Sequence, residues 1–162
     1  MYPIIWQGVL ALKNDSVAIQ MHVVSGNSSV AFDALPKIQD GYQPLLRIAQ
    51  RMRLEQAQLD GVNRKMEIKD EHCTILGLPC GKNQEDVLQQ ATNLEACIIP
   101  YLQQKKAAGI INTAAPGMQQ AAFVVHVFPP CEFADNVLLN AAPDLYRKVQ
   151  ETAYLVCIIV TV

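Results

Sequence analysis

The sequence predicts an α+β domain, a mostly antiparallel sheet or barrel with helices packed outside it. Three observations point there. Segments near both ends and in the middle carry strand-like patterns with period-two alternation. Segments between them carry helical spacing with recognisable start signals. The two kinds do not alternate in a strict strand-helix-strand rhythm, which argues against a parallel α/β fold. With 162 residues, 51% of them hydrophobic, the chain suits one compact domain spanning residues 1–162.

Pro3 to Lys13 alternates loosely and predicts a strand. Asn14-Asp15-Ser16 predicts a turn, and Val17 to Val24 a second strand, with Val17, Ile19, Met21 and Val23 on one face. The two together predict a hairpin. Ser25 to Ser28 predicts another turn, followed by a short strand near Ser29 to Phe32. Pro44 then predicts the start of a helix through Leu45, Ile48, Ala49 and Met52 towards Leu59. His72 to Pro79 predicts a buried strand.

Asn83 predicts an N-cap, with Glu85 and Asp86 in the first helical turn where the dipole favours them. That helix is expected to run to about Ala108, with Gly109 ending it. Pro100 lies inside it, so a kink or short break is expected there. Ile110-Ile111 continues as a strand, and Thr113 to Gln119 reads as a loop around Pro116-Gly117. Ala121 to Phe128 predicts a strand ended by two prolines. Phe133 to Val149 predicts a helical region interrupted at Pro143, and Ala153 to Val162 a closing strand.

Composition narrows the function classes. The formal charge of −2 excludes a polybasic tail but not a local basic patch. No stretch is long and apolar enough to span a bilayer, and the opening Met1-Tyr2-Pro3 lacks the basic region of a signal peptide. Met1 is expected to be a start placed on an excised domain. The five cysteines, irregularly spaced, argue against a secreted disulfide framework and for a reducing compartment.

No Walker loop, G-x-G-x-x-G, H-E-x-x-H or G-x-S-x-G is present. His72, Cys73 and Cys80 match no usual zinc spacing. A Cys80 nucleophile with His22 or His126 as base lacks any sign of an oxyanion site. The reading is a non-enzyme with no cofactor and no metal.

The chemistry concentrates in Leu46 to Leu54, where Arg47, Arg51 and Arg53 occur with no carboxylate between them; Asp40 and Glu55 flank the run. A guanidinium fork matches phosphate or carboxylate oxygens two at a time. In a helix Arg47 and Arg51 would share a face and Arg53 would point elsewhere. A solvated helix face with a local salt bridge to Glu55 explains the same spacing. Tyr101 and Lys105, four apart, make either a phosphate clamp or a half-buried tyrosine beside a surface lysine. Lys13 ends the first strand.

Several separate segments resemble one family. Tyr2-Pro3-Ile4-Ile5-Trp6-Gln7-Gly8, Ala11-Leu12-Lys13-Asn14-Asp15, the arginine run to Glu55, Leu78-Pro79-Cys80-Gly81, Ala107 to Asn112 and Phe128 to Phe133 closely resemble the SPOC domain of the Split ends (Spen) transcriptional regulators. The likeness covers essentially the whole chain, in order, and is stronger to the large Split ends proteins than to their smaller RNA-binding paralogues. The closing strand fits the extreme C-terminus of such a protein.

The resemblance implies a distorted β-barrel of about seven strands surrounded by helices, related to the Ku barrel. It implies a monomeric nuclear adaptor that binds phosphorylated acidic serine peptides of SMRT/NCoR-type corepressors. For some members it implies the phosphorylated tail of RNA polymerase II or the messenger-RNA methylation machinery. The family's basic surface maps onto Lys13, Arg47, Arg51, Arg53, Tyr101 and Lys105. Two positions depart from the pattern: Pro100, which could alter the Tyr101-Lys105 geometry, and Phe32-Asp33, where a relative carries more basic character. The alternative is a nucleic-acid module using the same patch on RNA or DNA backbone, which the scarcity of interleaved aromatics disfavours.

Overall fold

The computed structural model describes residues 2–38, 41 and 43–162. Met1 and Asp40 lie outside them. Eight strands form one sheet: β1 (Ile4–Leu12), β2 (Asp15–Gly26), β3 (Leu45–Ile48), β4 (Gln50–Arg53), β5 (His72–Pro79), β6 (Ala107–Ala114), β7 (Ala121–Phe128) and β8 (Leu155–Thr161). Their spatial order is β3-β1-β2-β5-β8-β7-β6-β4. Among the described residues only the β1–β3 pair is parallel. The helices are α1 (Ser28–Ala34), α2 (Gln56–Met66), α3 (Gln84–Asn93), α4 (Ile99–Lys105), α5 (Glu132–Ala141) and α6 (Pro143–Val149).

The two edge strands of this sheet, β3 and β4, are consecutive in sequence and separated only by Ala49. The chain pairs first with β1, so that Leu46 faces Leu10, then crosses at Ala49 and pairs with β6, so that Arg51 faces Gly109. One bent segment thus bridges the two edges and nearly closes a barrel. Counted as one strand, it gives the expected seven.

Two close approaches make the closure possible. A Cβ at Gly8 would stand 2.5 Å from the Pro44 carbonyl oxygen, and one at Gly109 2.8 Å from the Ile48 side chain. Only a residue without a side chain fits at either place.

The sheet is buried on both faces, which is why β8 reads as an unbroken apolar run. Its alternate residues serve different cores. Leu155, Cys157 and Ile159 join Trp6, Leu10 and Ile19 in a core that α1 and the α3–α4 helix help to fill. Val156, Ile158 and Val160 join Phe128, Leu138 and Val149 in a second core with residues of α2, α5 and α6.

The structure corrects four sequence expectations. Ser29 to Phe32 is helical, because the Asn27 side chain caps Ser29 N–H and Val30, Ala31 and Ala34 present one buried helical face. Pro44 starts no helix. Leu46 and Ile48 are buried while Arg47 between them is exposed, a period of two that belongs to a strand; the helix begins only at Gln56.

The long helix ends at Lys105 rather than near Ala108. Lys106 adopts a left-handed conformation (φ 50°) and Gly109 lies within β6. Pro100 does not break the helix. A π turn at Leu94–Ile98 precedes it and the helical path continues into α4. A wider turn relieves the clash that a proline ring makes with the preceding turn of a regular helix.

Candidate functional site

The β1–β2 hairpin turns through a two-residue loop, Lys13-Asn14, since Leu12 pairs directly with Asp15. Lys13 occupies the left-handed region with φ 56°. That conformation is costly for a residue with a side chain and persists only where surrounding contacts hold it. Here Arg47 Nη1 donates to the Lys13 carbonyl at 2.9 Å. The Lys13 ammonium reaches across to the Tyr101 ring, 4.5 Å from its centroid. Arg51 Cζ stands 5.7 Å and Lys105 Nζ 6.0 Å from the same centroid.

Each group arrives by a local cause. Tyr101 lies three residues after buried Ile98 and next to buried Leu102, so its ring is half-buried against the core. Lys105 follows one turn later on the same helix face. Arg47 and Arg51 project from the bent closing strand, and both are exposed. The left-handed turn at Lys106 sends β6 back beside β4, with Leu54 N–H donating to the Lys106 carbonyl at 2.9 Å. The bent strand therefore sets the two arginines at one cluster by separate contacts, Arg47 on the Lys13 carbonyl and Arg51 beside the Tyr101 ring.

The sixth expected residue stands apart. Arg53 makes an ion pair with Glu55 at 3.6 Å, both side chains largely exposed. Among the described residues the other ion pair is Arg147–Asp144. So no described carboxylate is within salt-bridge distance of Lys13, Arg47, Arg51 or Lys105. Three like charges around one ring, with Arg47 bonded to the backbone of Lys13 beside them, repel one another and hold a positive field for an anion. The cations gain partial compensation from the π face of Tyr101.

A feature without sequence signal adjoins this cluster. Where the closing strand crosses at Ala49, its pairing with β6 stops; among the described residues β6 continues from Ile111 to Ala114 paired only with β7 on its other edge, and a pocket of about 360 Å³ opens between it and β3. Leu35, Pro36, Leu45, Ile111 and Pro116 line it, and Arg47 is one of its walls. Its residues come from three separate stretches, 33–37, 45–47 and 111–116, which no spacing rule connects.

The other suggested chemistry finds no support in the geometry. Burial raises the Cys80 thiol above its ordinary range and Asp86 adds to the effect, the reverse of what activates a nucleophile. His126 is buried, its Nδ1–H donating to the Ile158 carbonyl at 3.0 Å. Among the described residues no group of three or more metal-ligating side chains forms. Among the described residues no helix is long and apolar enough to cross a membrane.

Comparison with known proteins agrees with this architecture. A family model described as SPOC domain matches residues 1–162. Protein split ends of Drosophila melanogaster is 56% identical over 99% of this chain, and human Msx2-interacting protein is 51% identical over 99% of it. The chain spans only 3% and 4% of those proteins. Mouse RNA-binding protein 15 is 34% identical over 96% of this chain and 17% of its own length. The crystal structure of the SPOC domain of human PHD-finger protein 3 superposes with a TM-score of 0.60 at 16% identity, covering 99% of this chain and 98% of that one.

Proposed function

The chain belongs to the SPOC domain family, a protein-interaction module of Split ends-type regulators, and from that premise we propose that it reads phosphoserine in acidic peptides. The observation that carries this reading is the convergence of Lys13, Arg51 and Lys105 on the Tyr101 ring, with Arg47 hydrogen-bonded to Lys13 beside them. Phosphoserine brings about −1.5 to −2 charges and three strong acceptor oxygens. Unmodified serine brings one weak hydroxyl. Charge-assisted hydrogen bonds from guanidinium, ammonium and phenol form only with the modified residue.

Arg47, Arg51 and Tyr101 are assigned to the phosphate. Lys13 and Lys105 complete the field, and Arg53 pairs with flanking acids of the peptide. The peptides are those of SMRT/NCoR-type corepressors, with the phosphorylated RNA polymerase II tail and the messenger-RNA methylation machinery as further sources. The module acts in the nucleus as a monomeric recruiting adaptor without catalysis.

Isothermal titration with one acidic serine peptide in phosphorylated and unmodified forms tests the reading. The phosphorylated form is expected to bind at least tenfold more tightly; equal affinities refute it. An RNA-backbone reading has less to work with. The Tyr101 ring already has three cations around it, which leaves a poor platform for base stacking.

A further inference from the structure

We infer that a groove on the outer face of the β1–β2 hairpin, walled by α3, is a second docking site. Its occupant is an extended, uncharged polypeptide segment held by its main chain. The groove shares no residue with the basic cluster, so the domain can hold two chains at once.

The groove encloses about 770 Å³. Gln7 and Val9 of β1 form its floor with their ladder partners Gln20 and Ala18 of β2. Leu10, Val17 and Ile19 point into the core, so strand alternation turns these four outward. One wall is α3, through Val87, Gln90 and Asn93. Pro79-Cys80-Gly81 closes the end of β5. A Cβ at Gly81 would stand 2.7 Å from Asp86 Oδ2, so glycine lets this turn lie close against α3.

The edge of β2 offers an open rung here. Val9 N–H donates to the Pro44 carbonyl, away from β2. Its partner Ala18 likewise faces away from β1: its N–H donates to Gln90 Oε1 at 2.9 Å, and its carbonyl accepts from Cys80 N–H at 3.0 Å. Ser16, two residues earlier, faces the same side. Pairing between β5 and β2 stops at Ile19↔Pro79. Among the described residues no strand therefore meets the N–H and carbonyl of Ser16, which lies on the groove. A side chain already stands in for a strand at Ala18, and an added peptide can do the same at Ser16.

The lining selects the occupant. Gln7, Gln20, Gln43, Gln90 and Asn93 bring side-chain amides, which donate and accept as a peptide group does. His22 Nδ1 lies 3.0 Å from the Tyr2 carbonyl and so carries its proton there; Nε2 then accepts from Gln20 Nε2, which leaves Gln20 Oε1 for a ligand. Asn93 accepts from Gln89 through Oδ1 and keeps its Nδ2 donors. The charged residues of the lining are Lys82 and Asp86, one of each sign and adjacent, so no net field draws an acidic ligand. None of the described lining residues is aromatic, which leaves a nucleic-acid base nothing to stack on.

The test is a set of amide ¹H–¹⁵N titrations of the intact domain with a blocked octapeptide of alternating serine and glutamine. Saturable shifts are expected at Ser16, Ala18 and Gly81, unchanged when a phosphorylated acidic peptide is present in excess. The same octapeptide with methylated main-chain nitrogens is expected to bind about two- to tenfold more weakly, the worth of a lost hydrogen bond. Ala18→Phe, which fills the floor, should abolish the shifts while the rest of its spectrum shows a folded domain. The methylated peptide is measured on wild type, so the inference stays testable if that variant does not fold. Absence of saturable shifts in the groove at millimolar peptide overturns it. So does equal binding of the methylated peptide, or shifts confined to Lys13 and Tyr101.

Discussion

Arg47 reaches across 34 positions of sequence to donate a hydrogen bond to the backbone carbonyl of Lys13, while the Lys13 side chain turns to the Tyr101 ring. The hairpin tip is therefore held by its main chain and leaves its ammonium for ligand. Lys13 adopts a positive φ that glycine tolerates better. Lys13→Gly is expected to weaken phosphopeptide binding several-fold while leaving the thermal midpoint equal or higher. Lys13→Ala keeps the strain and loses the charge. A calorimetric midpoint for the glycine variant below that of the alanine variant contradicts this account.

Arg51 and Arg53 sit two residues apart with different engagements. Arg51 borders the Tyr101 ring and Arg53 is paired with Glu55. Arg51→Ala is expected to cost about 2 kcal/mol or more of binding energy, a loss of roughly 30-fold. Arg53→Ala is expected to cost less than about 1 kcal/mol, as exposed pairs do. Glu55→Ala, which frees Arg53, should tighten binding slightly. Titration of the three variants with one peptide decides it, and equal losses at Arg51 and Arg53 count against the assignment.

Tyr101 combines a ring near which three cations stand with a hydroxyl. Tyr101→Phe keeps the ring and removes the hydroxyl, so a loss of about 0.5–1.5 kcal/mol is expected, the worth of one hydrogen bond. Tyr101→Ala also removes the cations' common support and should lose more. Should the alanine variant bind like wild type, the tyrosine has no part in recognition.

Binding should also respond to acid and salt in defined ways. Phosphoserine passes from about two charges to one below pH 6, so affinity is expected to fall as pH drops from 7 to 5. It should fall with added salt as well, because the attraction is screened. Flat behaviour in both titrations would point away from ionic recognition.

Fold stability carries a separate pH signature at His126. Burial holds its folded-state pKa below the ordinary value, with the Ile158 hydrogen bond opposing. The unfolded chain therefore takes up the proton first, at about pH 6.5. The contribution is complete above that pH and declines as pH falls through and below it. His126→Gln should show a shallower decline of the thermal midpoint between pH 7 and 5, and identical slopes would exclude this histidine as a cause.

Much of this architecture was legible in the chain. The alternation of Val17 to Val23, the continuous apolar run at Leu155 to Val160 and the Asn83 cap each declared their element, because each depends on neighbours in sequence. Leu45 to Arg53 did not. Its apolar residues fit a helix of 3.6 residues per turn nearly as well as two short strands, and the choice was made by partners on β1 and β6 far away in sequence. The residue types of the site were visible, but their meeting was not. Lys13 and Tyr101 are 88 positions apart, and only the barrel closure joins them. Proline at position 100 pointed to a break because a π turn leaves no mark that composition reveals.

The crossing at Ala49 has a mechanical consequence. Arg47 belongs to the half of the segment fastened to β1, and Arg51 to the half fastened to β6. A dianion gripping both would act as a clasp on a hoop whose ends otherwise meet through one residue. Ligation would then slow amide exchange in β3 and β6 more than in the hinge-free strands opposite, so occupancy of the surface would be felt as stiffness throughout the cylinder.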